Sequence, residues 1–77
     1  MMARNEVKPD WHPQRILGEV RAREGSMRAL ARKAGVGQNN LYNAVYRHVP
    51  KYEGIIAECL GVPPEEIWPS RYIRKVA

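Results

Sequence analysis

Residues 27–46 read MRALARKAGVGQNNLYNAVY, and this stretch decides the fold. Ser26 is a favourable N-cap, and the apolar residues after it recur at helical spacing: Met27, Leu30, Ala31 and Ala34. Gly35 ends this helix, and a second helical pattern follows over residues 38–47. Two short helices joined by a tight turn with a glycine are typical of a helix-turn-helix.

The crossing of two such helices imposes local requirements, and the stretch meets them. A small residue is needed where the helices approach most closely, and Ala31 supplies it. Gly35, four residues later, can adopt the positive φ that the turn requires. We expect these side chains to point inward: Leu30, Ala34, Val36, Leu41, Ala44 and Val45.

Helical patterns also flank this pair. The first helix is predicted to begin at Asp10 or His12, with Pro13 in its opening turn, and to end at Gly25. Pro50 is expected to close the third helix. A fourth helix, residues 51–60, should end at Gly61 and bury Ile55, Ile56, Cys59 and Leu60. A short fifth helix begins near Pro64 and stops before Pro69, so the sequence predicts a compact all-α bundle of about five helices.

Length and composition restrict the class of protein. A chain of 77 residues gives one domain, expected over residues 10–72, with flexible arms at residues 1–9 and 73–77. One cysteine excludes an internal disulfide, and a Cys/His zinc site would need ligands that the sequence lacks. We therefore expect no metal and no cofactor. No apolar run resembles a signal peptide or a membrane span, which favours a cytoplasmic protein.

The distribution of charge is more informative than the net charge of +5. Residues 25–52 contain no Asp or Glu, and the third helix carries four amides, Gln38, Asn39, Asn40 and Asn43. An amide can pair with adenine in the major groove through a donor and an acceptor side by side. We therefore predict base or groove contacts for Gln38, Asn39, Tyr42 and Asn43. Predicted phosphate contacts are Ser26, Arg28, Arg32, Lys33, Asn40, Tyr46, Arg47, Lys51 and Arg71.

Some of these residues have a second interpretation. Asn40 lies between the two faces of the helix and can equally serve as a cap. Tyr42 and Tyr46 can pack on the domain instead of donating hydroxyls to phosphates. Arg71, with Arg74 and Lys75, fits either a solvated tail or a phosphate-binding arm. Trp68, between Ile67 and Pro69, is expected to be a core residue.

Four segments resemble the Ner-like family of small DNA-binding regulators, which occurs in transposing bacteriophages such as Mu and in bacteria as Nlp proteins. They are DWH at residues 10–12, LARKAG at 30–35, YRHVPK with EGIIAECL at 46–60, and IWPSRY at 67–72. The resemblance covers residues 10–72. It implies a lambda-repressor-like helix-turn-helix fold and a role in transcription regulation, but it does not transfer the DNA sequence that is bound.

These observations predict a regulator, expected to be a repressor, that binds double-stranded DNA and reads the major groove with helix 38–47. Association of two copies of the protein on paired half-sites of the DNA is a further possibility that the sequence leaves open. No membrane or small-molecule ligand is expected, and His12 and His48 lack a catalytic partner, so no enzyme activity is expected. The alternative is a protein interaction module that docks on polymerase or on a phage or transposition protein. The amide cluster disfavours it, because the centre of a protein interface is usually more apolar.

Overall fold

The computed structural model describes residues 9–72, and the regular secondary structure in that range is helical. Five α-helices follow one another: α1 Pro13–Glu24, α2 Met27–Ala34, α3 Gln38–Tyr46, α4 Pro50–Leu60 and α5 Pro64–Ile67. A 3₁₀ turn, Pro69–Tyr72, comes after them. The predicted all-α helix-turn-helix fold is confirmed. The predicted flexible arms lie outside the described residues, apart from Pro9.

The helix starts follow the predicted caps. Nδ1 of His12 accepts a hydrogen bond from the N–H of Gln14 at 3.0 Å, and Pro13 occupies the first position of α1. Oγ of Ser26 accepts from the N–H of Ala29 at 3.0 Å and caps α2. Each cap provides an acceptor for an N–H group that has no partner within its helix.

The turn between α2 and α3 is built on a left-handed glycine. Gly35 has φ +74° and ψ +32°, a conformation that strains residues with a Cβ. The N–H of Val36 then bonds back to the carbonyl of Ala31 at 3.0 Å, which closes the end of α2. The same geometry recurs at Gly61, where φ is +75° at the end of α4. The predicted role of Gly35 is confirmed.

One hydrophobic cluster joins the five helices. Ala31 and Leu41, from the two helices of the helix-turn-helix, are both buried in it, as are Ala44 and Val45. Trp68 is 1% exposed and belongs to the same cluster, so its predicted role as a core residue is confirmed. The other buried apolar members are Ile16, Val20, Met27, Leu30, Ile56, Ala57, Leu60 and Ile67.

Several boundaries and burial predictions need correction. Helix α3 ends at Tyr46, one residue before the predicted end, and Pro50 opens α4 instead of closing α3. Proline fits this position because the first residue of a helix has no use for its N–H. Ala34 is exposed, and Ile55 and Cys59 are only partly buried. All three line a groove at the surface between α2 and α4.

No helix within residues 9–72 combines the length and the apolar character that crossing a bilayer requires.

Candidate nucleic-acid interface

Helix α3 has a buried face and an exposed polar face. Leu41, Ala44 and Val45 are buried against the other helices. The period of 3.6 residues then directs the remaining side chains outward, and all of these are exposed: Gln38, Asn39, Asn40, Tyr42, Asn43 and Tyr46. The exposed face thus carries amides and hydroxyls, which can donate and accept hydrogen bonds, and no charge.

The two tyrosines are surface residues. Tyr42 is 40% exposed and Tyr46 is 54% exposed, and their ring centroids lie 5.6 Å apart with the planes tilted by 56°. They therefore pack on each other, one helical turn apart, with large exposed areas. A hydrogen bond with Tyr42 is the main cause that raises the pKa of the Tyr46 hydroxyl. The Tyr46 hydroxyl is protonated near neutral pH, as for an ordinary tyrosine, and the raised pKa extends its donor form to higher pH.

Asn40 folds back toward the start of α3. A Cβ atom placed on Gly37 would lie 3.3 Å from Nδ2 of Asn40, which is tighter than most such contacts. Gly37 occupies the N-cap position and gives α3 no side-chain cap. Asn40 is nonetheless exposed, so its amide can also reach a partner outside the protein.

The basic side chains near α3 fall into two groups. Arg28, Arg32, Arg47 and Lys51 are exposed, and in residues 9–72 none of them forms an ion pair. Lys33 instead lies 3.1 Å from Oε2 of Glu24, although its side chain is 70% exposed. Exposed pairs of this kind contribute at most about 1 kcal/mol, so the contact leaves Lys33 free to exchange partners.

A groove beside the N-terminal half of α3 was not anticipated from the sequence. Its volume is about 210 Å³, and its lining comes from three helices and one cap: Leu17, Arg21, Ser26, Met27, Gln38 and Tyr42. Arg21 belongs to α1, outside the helix-turn-helix, and only the packing of α1 against α2 and α3 brings it here. No pattern within α1 distinguishes Arg21 from its arginine neighbours.

A buried carboxylate anchors the other end of α3. Glu53, on α4, is 0% exposed. Its Oε2 accepts from the N–H of Val49 at 2.7 Å and lies 2.8 Å from Nδ1 of His48, while Oε1 accepts from the hydroxyl of Tyr72. Because an ionised carboxylate can only accept, Nδ1 of His48 carries the shared proton. The network fixes the chain that follows α3.

Arg71, in the 3₁₀ turn, completes this network. Nη1 donates to Oε2 of Glu53 at 2.9 Å and to the carbonyl of Ala44 at 2.7 Å, and Nη2 donates to the carbonyl of Val45 at 3.0 Å. The side chain is 13% exposed, and its guanidinium lies 4.8 Å from the centroid of the Trp68 ring. Arg71 is therefore a largely buried residue that supports the last turn of α3, and not a solvated tail residue.

The pKa values in this network follow from burial and from the donors. Burial by itself would raise the pKa of Glu53, but hydrogen bonds from Tyr72, His48, the Val49 N–H and Arg71 outweigh it, so the pKa is lowered. Burial, together with the carboxylate of Glu53, raises the pKa of Tyr72 to about 12. Glu53 is thus held ionised and Tyr72 is held as a donor.

Comparison with known proteins identifies the family of DNA-binding proteins to which the chain belongs. The winged helix-turn-helix DNA-binding family matches residues 10–77, and the chain belongs to this family. Residues 9–72 contain no strand, so this part of the chain has the helix-turn-helix without a β wing.

Two relatives and one solved structure show which members of this family the chain is similar to. The chain is 45% identical over 71 residues to the negative regulator of transcription of Escherichia phage Mu, covering 92% of this chain and 95% of the relative. It is 48% identical over 63 residues to sugar fermentation stimulation protein B of Escherichia coli K12, covering 82% and 68%. The solution structure of the Mu Ner protein matches with a TM-score of 0.70 and 43% identity, over 87% of this chain and 90% of the other. The resemblance to Ner-like regulators is confirmed.

Proposed function

We propose that this protein is a sequence-specific repressor of transcription that binds double-stranded DNA by placing α3 in the major groove. The observation that carries the proposal is the exposed face of α3, which presents amides and hydroxyls without a carboxylate. Membership of a DNA-binding family supports it, and so do relatives named as negative regulators of transcription.

The proposed division of roles follows the chemistry of the side chains. Amides and a hydroxyl can pair with base edges, so we assign base or groove contacts to Gln38, Asn39, Tyr42 and Asn43. Cations and small polar groups bind phosphate oxygens and fix the register on the duplex. For that role we retain Ser26, Arg28, Arg32, Lys33, Asn40, Tyr46, Arg47 and Lys51. Arg71 is omitted because three of its five N–H donors bind Glu53, Ala44 and Val45 and its side chain is only 13% exposed.

Repression would result from occupation of promoter DNA in the cytoplasm. We further propose that two copies bind paired half-sites, because a short site read by one helix gives limited specificity in a genome. Half-sites one or two helical turns apart would place both copies on the same side of the duplex.

The alternative, a module that binds another protein, has less support. Among the described residues, Tyr42 and Tyr46 are the large hydrophobic side chains that are exposed, and both lie in a row of amides. The centre of a protein interface usually has a larger apolar patch.

Selection of bound sequences from a random duplex pool tests the proposal, followed by titration of variants on the selected site and on unrelated DNA. Asn43→Ala should weaken binding to the selected site by about 1 to 3 kcal/mol and change binding to unrelated DNA little. Gln14→Ala is a matched control because it removes an exposed amide from the first turn of α1. Absence of an enriched site would favour the protein module, and equal losses on both DNAs would move Asn43 to the backbone contacts.

A further inference from the structure

The arginines of α1 differ in what surrounds them. The guanidinium of Arg15 lies 3.5 Å from the centroid of the Trp11 ring, and Arg23 forms an ion pair with Glu19 one turn away. Arg21 is exposed, and in residues 9–72 it has neither an ion pair nor an aromatic partner. Its guanidinium is therefore available to a partner outside the described part of the chain.

The groove that Arg21 lines adjoins the proposed reading face. Gln38 and Tyr42 line it together with Ser26, the cap of α2. The hydroxyl oxygen of Ser26 accepts from the N–H of Ala29, and its own O–H is a further donor beside the groove. Arg21 and Ser26 thus present donors on the same side of the domain as the N-terminal half of α3.

The charge of this groove suits an anion. None of its lining residues is acidic. The larger groove between α2 and α4, with a volume of about 390 Å³, is lined by both Glu24 and Glu58, and Lys33 there is paired with Glu24. A guanidinium can donate two parallel hydrogen bonds to phosphate oxygens.

We propose that Arg21 binds a phosphate of the DNA backbone next to the bases read by Gln38 and Tyr42. Helix α1 then belongs to the DNA interface, which extends beyond the helix-turn-helix itself. Ser26 donates to the backbone at the same edge. This inference rests on the proposed function, since it takes α3 to lie in the major groove.

The test compares Arg21→Ala with Arg23→Ala. Both variants remove one positive charge from the last turns of α1, and the two side chains lie on opposite faces of the helix, so the comparison isolates the contact made on the Arg21 face. Affinity is measured over a range of salt concentrations, on the selected site and on unrelated duplex, after circular dichroism has shown that both variants are folded. Arg21→Ala should weaken binding to both DNAs, by about fivefold near 0.1 M salt. It should also reduce the slope of log affinity against log salt by about 0.9, the value for one phosphate contact.

Arg23→Ala should leave the slope nearly unchanged, and Arg21→Lys should restore most of it. Equal slopes for Arg21→Ala and Arg23→Ala would overturn the assignment. If Asn43→Ala still loses discrimination in that case, only the Arg21 contact is refuted. If instead no site is enriched and Asn43→Ala binds like the wild type, the proposed function itself fails.

Discussion

Replacement of Arg71 by methionine tests the buried network under α3. Methionine keeps much of the side-chain volume but removes the charge. The carboxylate of Glu53, which is 0% exposed, would lose the guanidinium 2.9 Å away. The carbonyls of Ala44 and Val45 would lose donors at 2.7 and 3.0 Å. A buried charge without its partner costs much more than the intact pair contributes.

The expected loss in the free energy of unfolding is about 3 to 5 kcal/mol, the range for breaking a buried ion pair. A chain of 77 residues has a total stability of about 4 to 12 kcal/mol, so Arg71→Met should be marginally folded. The midpoint of thermal unfolding should fall by at least about 12 °C. Arg23→Met is the matched control because its ion pair with Glu19 is exposed, and it should lose at most about 1 kcal/mol.

The assay is urea unfolding at pH 7 and at lower pH, followed by far-ultraviolet circular dichroism. The pKa of Glu53 is lowered in the folded state, so its stabilising contribution is present above the unfolded pKa of about 4.3 and is lost as the pH falls. Loss of Arg71 removes one of the four donors that offset burial, so the pKa of Glu53 should rise from its lowered value, and protonation would then relieve the charge at a higher pH than in the wild type. The difference between wild type and Arg71→Met should therefore narrow as the pH falls toward 4. If Arg71→Met loses no more stability than Arg23→Met, the buried pair does not support α3 as described.

Two further predictions address the core and the DNA backbone. Trp68→Ala should cost about 3 to 5 kcal/mol in unfolding experiments, whereas Trp68→Phe should cost less, because in residues 9–72 the indole N–H has no acceptor to lose. A Trp68→Ala variant as stable as wild type but weaker on DNA would place this side chain at an interface. Arg47→Ala should weaken binding to all sequences similarly and reduce the salt slope by about 0.9, and an unchanged slope would exclude a phosphate contact there.

The sequence determined the helices and the turn because the signals for them are local. A cap such as Ser26 acts on an N–H three residues away, and Gly35 ends α2 through its own backbone conformation. The inward and outward faces of α3 follow from the helical period once Leu41 is buried. The amide face was therefore predictable, although its contacts with DNA stay predictions. The wrong assignment of Pro50 also concerned a local signal, because a proline can either follow the end of one helix or occupy the first turn of the next.

The tertiary structure alone decided which charged residues are inside. From the sequence, both Glu53 and Arg71 would be expected at the protein surface, as charged residues usually are. A charged side chain is stable in the interior only where several hydrogen-bonding partners surround it. Those partners come from distant segments: Arg71 is 18 residues from Glu53 and 27 from Ala44. Arg21, in contrast, stays exposed, and the packing of α1 places this one of several similar arginines beside α3. Convergence of this kind depends on how whole helices pack, and a helical period specifies only which face of each helix is buried.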